Sequence, residues 1–148
     1  MKRAIVVGIG NPNFRDDGVG FKVIENLKGL VDTVCFLNTD LKVIDAILNY
    51  DIAIIVDGIK IGTEPGTVIE IDPVKSWKNV YASGTHSINI FEVIRVGYQV
   101  FPEEMPKKIK IIGVEVEDVD TLDKECSPKV KEAIPKVILK IKEILKLS

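Results

Sequence analysis

Three carboxylates and one imidazole are placed where side chains do chemistry. Asp16 and Asp17 are adjacent in Gly8-Ile9-Gly10-Asn11-Pro12-Asn13-Phe14-Arg15-Asp16-Asp17-Gly18-Val19-Gly20, Asp57 follows the apolar run 52–56, and His86, the only histidine, lies in Ser83-Gly84-Thr85-His86-Ser87. Asp17, Asp57 and His86 form a mixed oxygen and nitrogen set that suits zinc, nickel, manganese or iron, and three protein ligands leave positions open for water or a substrate group. A histidine just before a helix meets the positive end of its dipole, which favours the neutral imidazole that a metal requires. Each residue also has an ordinary explanation: an aspartate capping a helix that starts near Gly18, Asp57 opening a turn at Gly58, a histidine simply exposed in a loop. The glycine loop does not match a dinucleotide fingerprint. Its third glycine position is Asn13, and Asp16 and Asp17 put negative charge where a pyrophosphate needs positive potential. A serine or cysteine nucleophile has weaker support, because no G-x-S-x-G elbow is present and neither Cys35 nor Cys126 has a histidine nearby in sequence.

Apolar patterning supplies the elements that must position these groups. Residues 4–7 form an apolar run closed by glycines, as expected of a strand buried on both faces, and Val19, Val23, Ile24 and Leu27 recur at helical spacing. A second strand is predicted over 33–37, a helix over 41–49 and a third buried strand over 52–56 ending at Asp57. Thr63-Glu64-Pro65-Gly66 is a turn before a short strand, 67–71, whose nearness to the third strand permits an antiparallel edge. Ser87 is a candidate cap for a helix through Ile90, Phe91, Ile94 and Tyr98. A last strand is predicted over 110–116, and Ser127-Pro128 opens a final helix that Pro135 is expected to kink. Alternating strands and helices predict an α/β fold with a mostly parallel five-stranded sheet, helices on both faces and one antiparallel edge strand. The loops after its strands share the carboxyl edge, where open α/β sheets bind ligands. Glu115, Glu117, Asp118 and Asp120 form either an acidic rim there or an ordinary exposed loop, and Trp77 and Tyr81 are expected to anchor packing.

Composition narrows the function classes. The chain has 148 residues, 46% hydrophobic and 28% charged, which fits one domain spanning 1–148 and excludes disorder and collagen. Lys and Arg total 20 against 22 for Asp and Glu, a net charge of -2, so no global basic field draws the protein to nucleic acid or to a membrane surface. Two distant cysteines are expected to be buried thiols, and with no signal-like or membrane-spanning segment the expected compartment is the cytoplasm.

Taken together, Gly8-Ile9-Gly10-Asn11, Asp16-Asp17-Gly18-Val19-Gly20, Val56-Asp57, Pro65-Gly66-Thr67-Val68, Thr85-His86, Ser127-Pro128 and Ala133-Ile134-Pro135 carry a resemblance across nearly the whole chain. The sequence resembles the hydrogenase maturation endopeptidases, which trim the C-terminal extension from the large-subunit precursor of nickel-iron hydrogenases. The resemblance implies a three-layer α/β/α sandwich, a hydrolase, that precursor as partner, and no organic cofactor. It further implies nickel supplied by the substrate and contacted by Asp17, Asp57 and His86. Hydrolysis would then use the nickel as a Lewis acid, or a water activated by a carboxylate such as Asp16 or Asp17. One departure is Leu37-Asn38-Thr39-Asp40, where relatives commonly carry an acid and paired glycines, leaving Asp40 as a displaced candidate. Two competing readings are a module that docks on the nickel site without cutting, and a Rossmann-like nucleotide binder.

Overall fold

A computed structural model describes residues 3–74 and 89–147. Five strands, β1 (Ala4–Ile9), β2 (Asp32–Phe36), β3 (Ile52–Ile59), β4 (Val68–Ile71) and β5 (Lys108–Glu115), form one sheet in the order β2-β1-β3-β5-β4. β1, β2, β3 and β5 are mutually parallel, whereas β4 runs antiparallel on the outer edge of β5. The antiparallel edge agrees with the sequence expectation, but β5 intervenes between β4 and β3, because a strand arriving late in the chain takes the inner position.

Period-two alternation sorts the strand side chains between two cores. Ile5, Val7 and Ile9 of β1, Ala53 and Ile55 of β3, and Ile109 and Ile111 of β5 pack beneath α2 (Lys42–Ile47) and α3 (Ile90–Val100). The residues between them, Val6, Ile54, Val56, Ile112 and Val114, meet α1 (Val19–Glu25) and α4 (Pro128–Leu145) on the opposite face. Each fully buried aliphatic side chain contributes roughly 1.5–3 kcal/mol, so both layers are held chiefly by apolar burial. α4 continues across Pro135 to Leu145, so the exposed proline does not end the helix. The cap of α3 is Asn89, whose Oδ1 accepts from the Phe91 amide at 2.8 Å. Ser87, together with Trp77, Tyr81 and His86, lies outside the described residues.

The chain path fixes where a ligand can sit. β1 leads through α1 to β2 on one side, while β2 returns through α2 to β3 on the other, so the connections diverge between β1 and β3. Open α/β sheets bind their ligands at such a switch point, beyond the carboxyl ends of the strands.

Candidate functional site

At the switch point β1 ends and β3 continues. The β1–β3 pairing runs from Ala4 opposite Ile52 to Gly8 opposite Val56, and Gly10, at φ +136°, then turns the chain away. A side chain at Gly10 would overlap the Asp17 carbonyl oxygen, and a Cβ at Gly20 would stand 2.8 Å from the Val56 carbonyl oxygen. Glycines at these two positions therefore let the 11–18 loop fold back over the strand ends and α1 rest directly on β1 and β3.

Asp57 lies inside β3, opposite Gly113 of β5, and the strand continues through Gly58 to Ile59. It neither ends the strand nor opens a turn, as the sequence had led us to expect; the reason is that β5 extends the ladder beyond the end of β1. Only 2% of Asp57 is exposed. Burial first, and the negative charge of Asp17 second, hold its carboxyl well above the usual carboxylate range, with the hydrogen bond from Gly58 acting in the opposite sense. Asp17 is 6% exposed in the 3₁₀ turn Arg15–Gly18, and its Oδ2 accepts from the Asn11 amide at 2.8 Å. Two buried carboxylates from separate segments thus act on one another, an arrangement that a cation relieves.

Asp16 behaves differently. It is fully buried: Oδ1 accepts from the Ser127 amide at 2.6 Å, while Oδ2 accepts from the Ser127 hydroxyl at 2.8 Å and from the Glu117 and Asp118 amides at 2.9 and 3.0 Å. With four donors on its two oxygens, Asp16 is placed to hold the 116–127 segment rather than to take a proton from water, and it caps no helix. Ser127 does stand at the N-cap of α4, with Pro128 following, but its hydroxyl serves Asp16 instead of the helix amides.

The segment after β5 proves more organised than an exposed acidic loop. Arg15, left-handed at φ +51°, donates from Nη1 to Asp123 at 2.9 Å and from Nε to the Ser127 hydroxyl at 3.0 Å. Its amide donates to the Asp123 carbonyl at 2.8 Å, and the Asp123 amide donates to the Asn13 carbonyl at 2.9 Å. Glu115 is buried, and its Oε1 accepts from the amides of Ile61 and Thr63 and from the Thr63 hydroxyl, fixing the chain that leaves β3. Asp118 holds its own turn through Asp120 and Thr121. Asp40 accepts from the Lys42 amide at 2.7 Å and so starts α2. Sequence reasoning missed the Arg15 clamp and the Glu115 anchor. It also passed over Thr39, which is wholly buried with no partner for its hydroxyl among the described residues. Cys35 is half-buried and Cys126 buried, both as free thiols; burial pushes the Cys126 thiol up to about 11.

Residues 22–144 match the family model described as hydrogenase maturation protease. The chain belongs to the hydrogenase maturation protease family. A solved member, the [NiFe] hydrogenase maturation protease HycI from Thermococcus kodakarensis KOD1, is 30% identical, with a TM-score of 0.73 over 98% of this chain and 93% of that one. The hydrogenase maturating endopeptidase HybD from E. coli, at 22% identity, superposes with a TM-score of 0.80 over 97% of this chain and 92% of that one, and bears on the fold alone. Among curated sequences, the hydrogenase expression/formation protein HupD of Thiocapsa roseopersicina is 26% identical over 142 residues. The match takes in 90% of this family member and 63% of that relative's length, so the chain spans somewhat under two-thirds of it. The five-stranded sheet with its single antiparallel edge is thus the architecture of hydrogenase maturation proteases. No described helix of this member is long and apolar enough to cross a membrane.

Proposed function

We propose that this protein is an endopeptidase that removes the C-terminal extension of a nickel-iron hydrogenase large-subunit precursor after nickel insertion. The nickel arrives with the precursor as part of the substrate, and Asp17, Asp57 and His86 complete its open coordination. One observation carries the reading: two buried carboxylates, Asp17 and Asp57, come together at the switch point, where the charge of Asp17 adds to burial in holding the Asp57 carboxyl up. Such a pair gains most from a ligand that brings positive charge, and a precursor without its metal lacks the cation's charge at that site. Family membership supplies the hydrogenase context. His86 enters on its chemistry as a nitrogen ligand and on its place in sequence three residues before Asn89, the cap of α3. Binding the nickel sets the neighbouring peptide in a fixed position, and that positioning is the residues' main contribution to the cut. With Asp16 committed to the scaffold, Asp17 and Asp57 are the carboxylates left for ligand and base duty. The reaction occurs in the cytoplasm, where a newly metallated precursor is folded.

The test is intact mass spectrometry of a nickel-loaded and a nickel-free precursor incubated with wild-type protein, Asp57→Asn or His86→Ala. Loss of one C-terminal peptide is expected only with nickel and wild-type protein. Each variant is expected to slow cleavage by about 100-fold or more, since removing a direct ligand exceeds the 10–100-fold cost of losing an outer-shell partner. An unchanged precursor mass beside a stable nickel-dependent complex would replace cleavage with docking alone.

A further inference from the structure

Asp17 reaches the candidate site from a backbone whose preceding residues are tied to the far end of the chain. Arg15, two residues before it, is a non-glycine residue at φ +51°, a left-handed conformation that costs free energy and persists where the surroundings enforce it. Residues 116–127 do the enforcing. The Arg15 amide donates to the Asp123 carbonyl at 2.8 Å and the Asp16 amide to the Asp118 carbonyl at 3.0 Å, while the Arg15 guanidinium grips the Asp123 carboxylate and the Ser127 hydroxyl. Ser127 in turn donates to both oxygens of Asp16, from its amide at 2.6 Å and its hydroxyl at 2.8 Å. A closed ring results: Arg15 Nε to Ser127 Oγ, Ser127 Oγ to Asp16 Oδ2, and the peptide bond from Asp16 back to Arg15. Asp17 is the next residue of this ring's backbone. Its amide donates to the Phe14 carbonyl at 3.0 Å, and its Oδ2 accepts from the Asn11 amide at 2.8 Å. The turn is packed on the other side as well, since a Cβ at Gly18 would stand 2.6 Å from Pro12 Cα. A misplacement of about 1 Å in a group that orients a substrate can cost on the order of 100-fold in rate, so whatever fixes Asp16 governs what Asp17 can do.

We propose that Arg15 and Ser127 are positioning residues for Asp17, acting through Asp16 to hold its carboxylate beside Asp57 in the geometry that the substrate's nickel meets. The proposal rests on the endopeptidase reading for that nickel, and it makes the N-terminal end of α4 part of the support of a site built at the other end of the sequence. Because the two residues act through Asp17, removing either one has an effect on binding only while the Asp17 carboxylate is there to be positioned.

Two measurements on the whole chain test it, each with wild-type protein, Arg15→Gly and Ser127→Ala. Arg15→Gly removes the guanidinium while glycine takes φ +51° at no steric cost, so its lost clamp is set against relieved backbone and its melting temperature is expected to change little. The first measurement is amide hydrogen exchange of the protein alone, read at Asn11, whose N–H reports the place of the Asp17 carboxylate. Both variants are expected to speed exchange at Asn11 about tenfold and to leave the amides of β1 and β3 at wild-type rates. The second is the Kd for a nickel-loaded hydrogenase large-subunit precursor. Each variant is expected to raise it about tenfold, the lower end of the usual cost of losing a supporting partner of a metal contact, and to raise it no further in an Asp17→Asn background. If both variants keep wild-type exchange at Asn11 or wild-type Kd, the positioning role is overturned while the endopeptidase reading stands. Equal losses with and without the Asp17 carboxylate also overturn it, because they mark a general structural effect. If wild type binds without cutting and the variants follow the expected pattern, the endopeptidase reading fails and the positioning role stands. Absence of nickel-dependent binding by wild type overturns both.

Discussion

The buried carboxylate of Asp57 makes the metal-free fold sensitive to pH in a defined direction. An unfolded aspartate loses its proton near pH 3.9, whereas folded Asp57 keeps it to higher pH because burial and Asp17 disfavour the charged form. Between those two values the folded state binds more protons than the unfolded one, so this residue's contribution to stability is intact below the unfolded value and declines as pH rises through the window. Replacing it by asparagine removes the titration. Denaturant melts of metal-free wild type and Asp57→Asn at pH 4 and pH 7 are expected to show the variant gaining on wild type at the higher pH. The sequence exposed this residue's place on the ligand edge, since an aspartate after five apolar residues is conspicuous. It did not expose the different duties of Asp16 and Asp17. Two neighbouring aspartates look alike in a sequence, and only the arrival of Ser127 from the far end of the chain distinguishes them.

At the scale of elements, patterning located the strands and helices well, because their buried faces repeat every two or every 3.6 residues. Boundaries were less legible where a neighbour decided them: β3 outruns its apolar run because β5 pairs with it as far as Ile59 opposite Glu115. The contact of α1 with the sheet depends on a detail the pattern did mark, a glycine at position 20. A Cβ there would meet the Val56 carbonyl at 2.8 Å and the Ile9 amide nitrogen at 3.0 Å, both backbone atoms with little freedom to withdraw. Gly20→Ala is expected to destabilise the protein by about 1–3 kcal/mol, the usual cost of overpacking a tight interface, despite the better helix propensity of alanine. Thermal melts monitored by circular dichroism check the shift.

For the whole molecule, the parallel sheet with helices on both faces was legible from alternation alone, but how the loops are tied together was not, since hydrogen bonds between distant loops leave no periodic trace. The Asp16–Ser127 contact joins residues 111 apart in sequence. Asp16→Ala would strand the amides of Glu117, Asp118 and Ser127 and the Ser127 hydroxyl without their common acceptor. It is expected to cost about 3 kcal/mol or more, read as a lower denaturant midpoint, while Ser127→Ala, which leaves the amide bonds in place, should cost about 1 kcal/mol. The same contact sets an order of events during synthesis. At roughly 5–20 residues per second, a ribosome needs roughly 6–22 s to make the 111 residues between these partners. For the later part of that interval the nascent chain already carries Asp17 and Asp57 but has no Ser127 with which to lock the neighbouring loop. The loop beside the candidate site is therefore locked late, when the C-terminal helix begins to emerge.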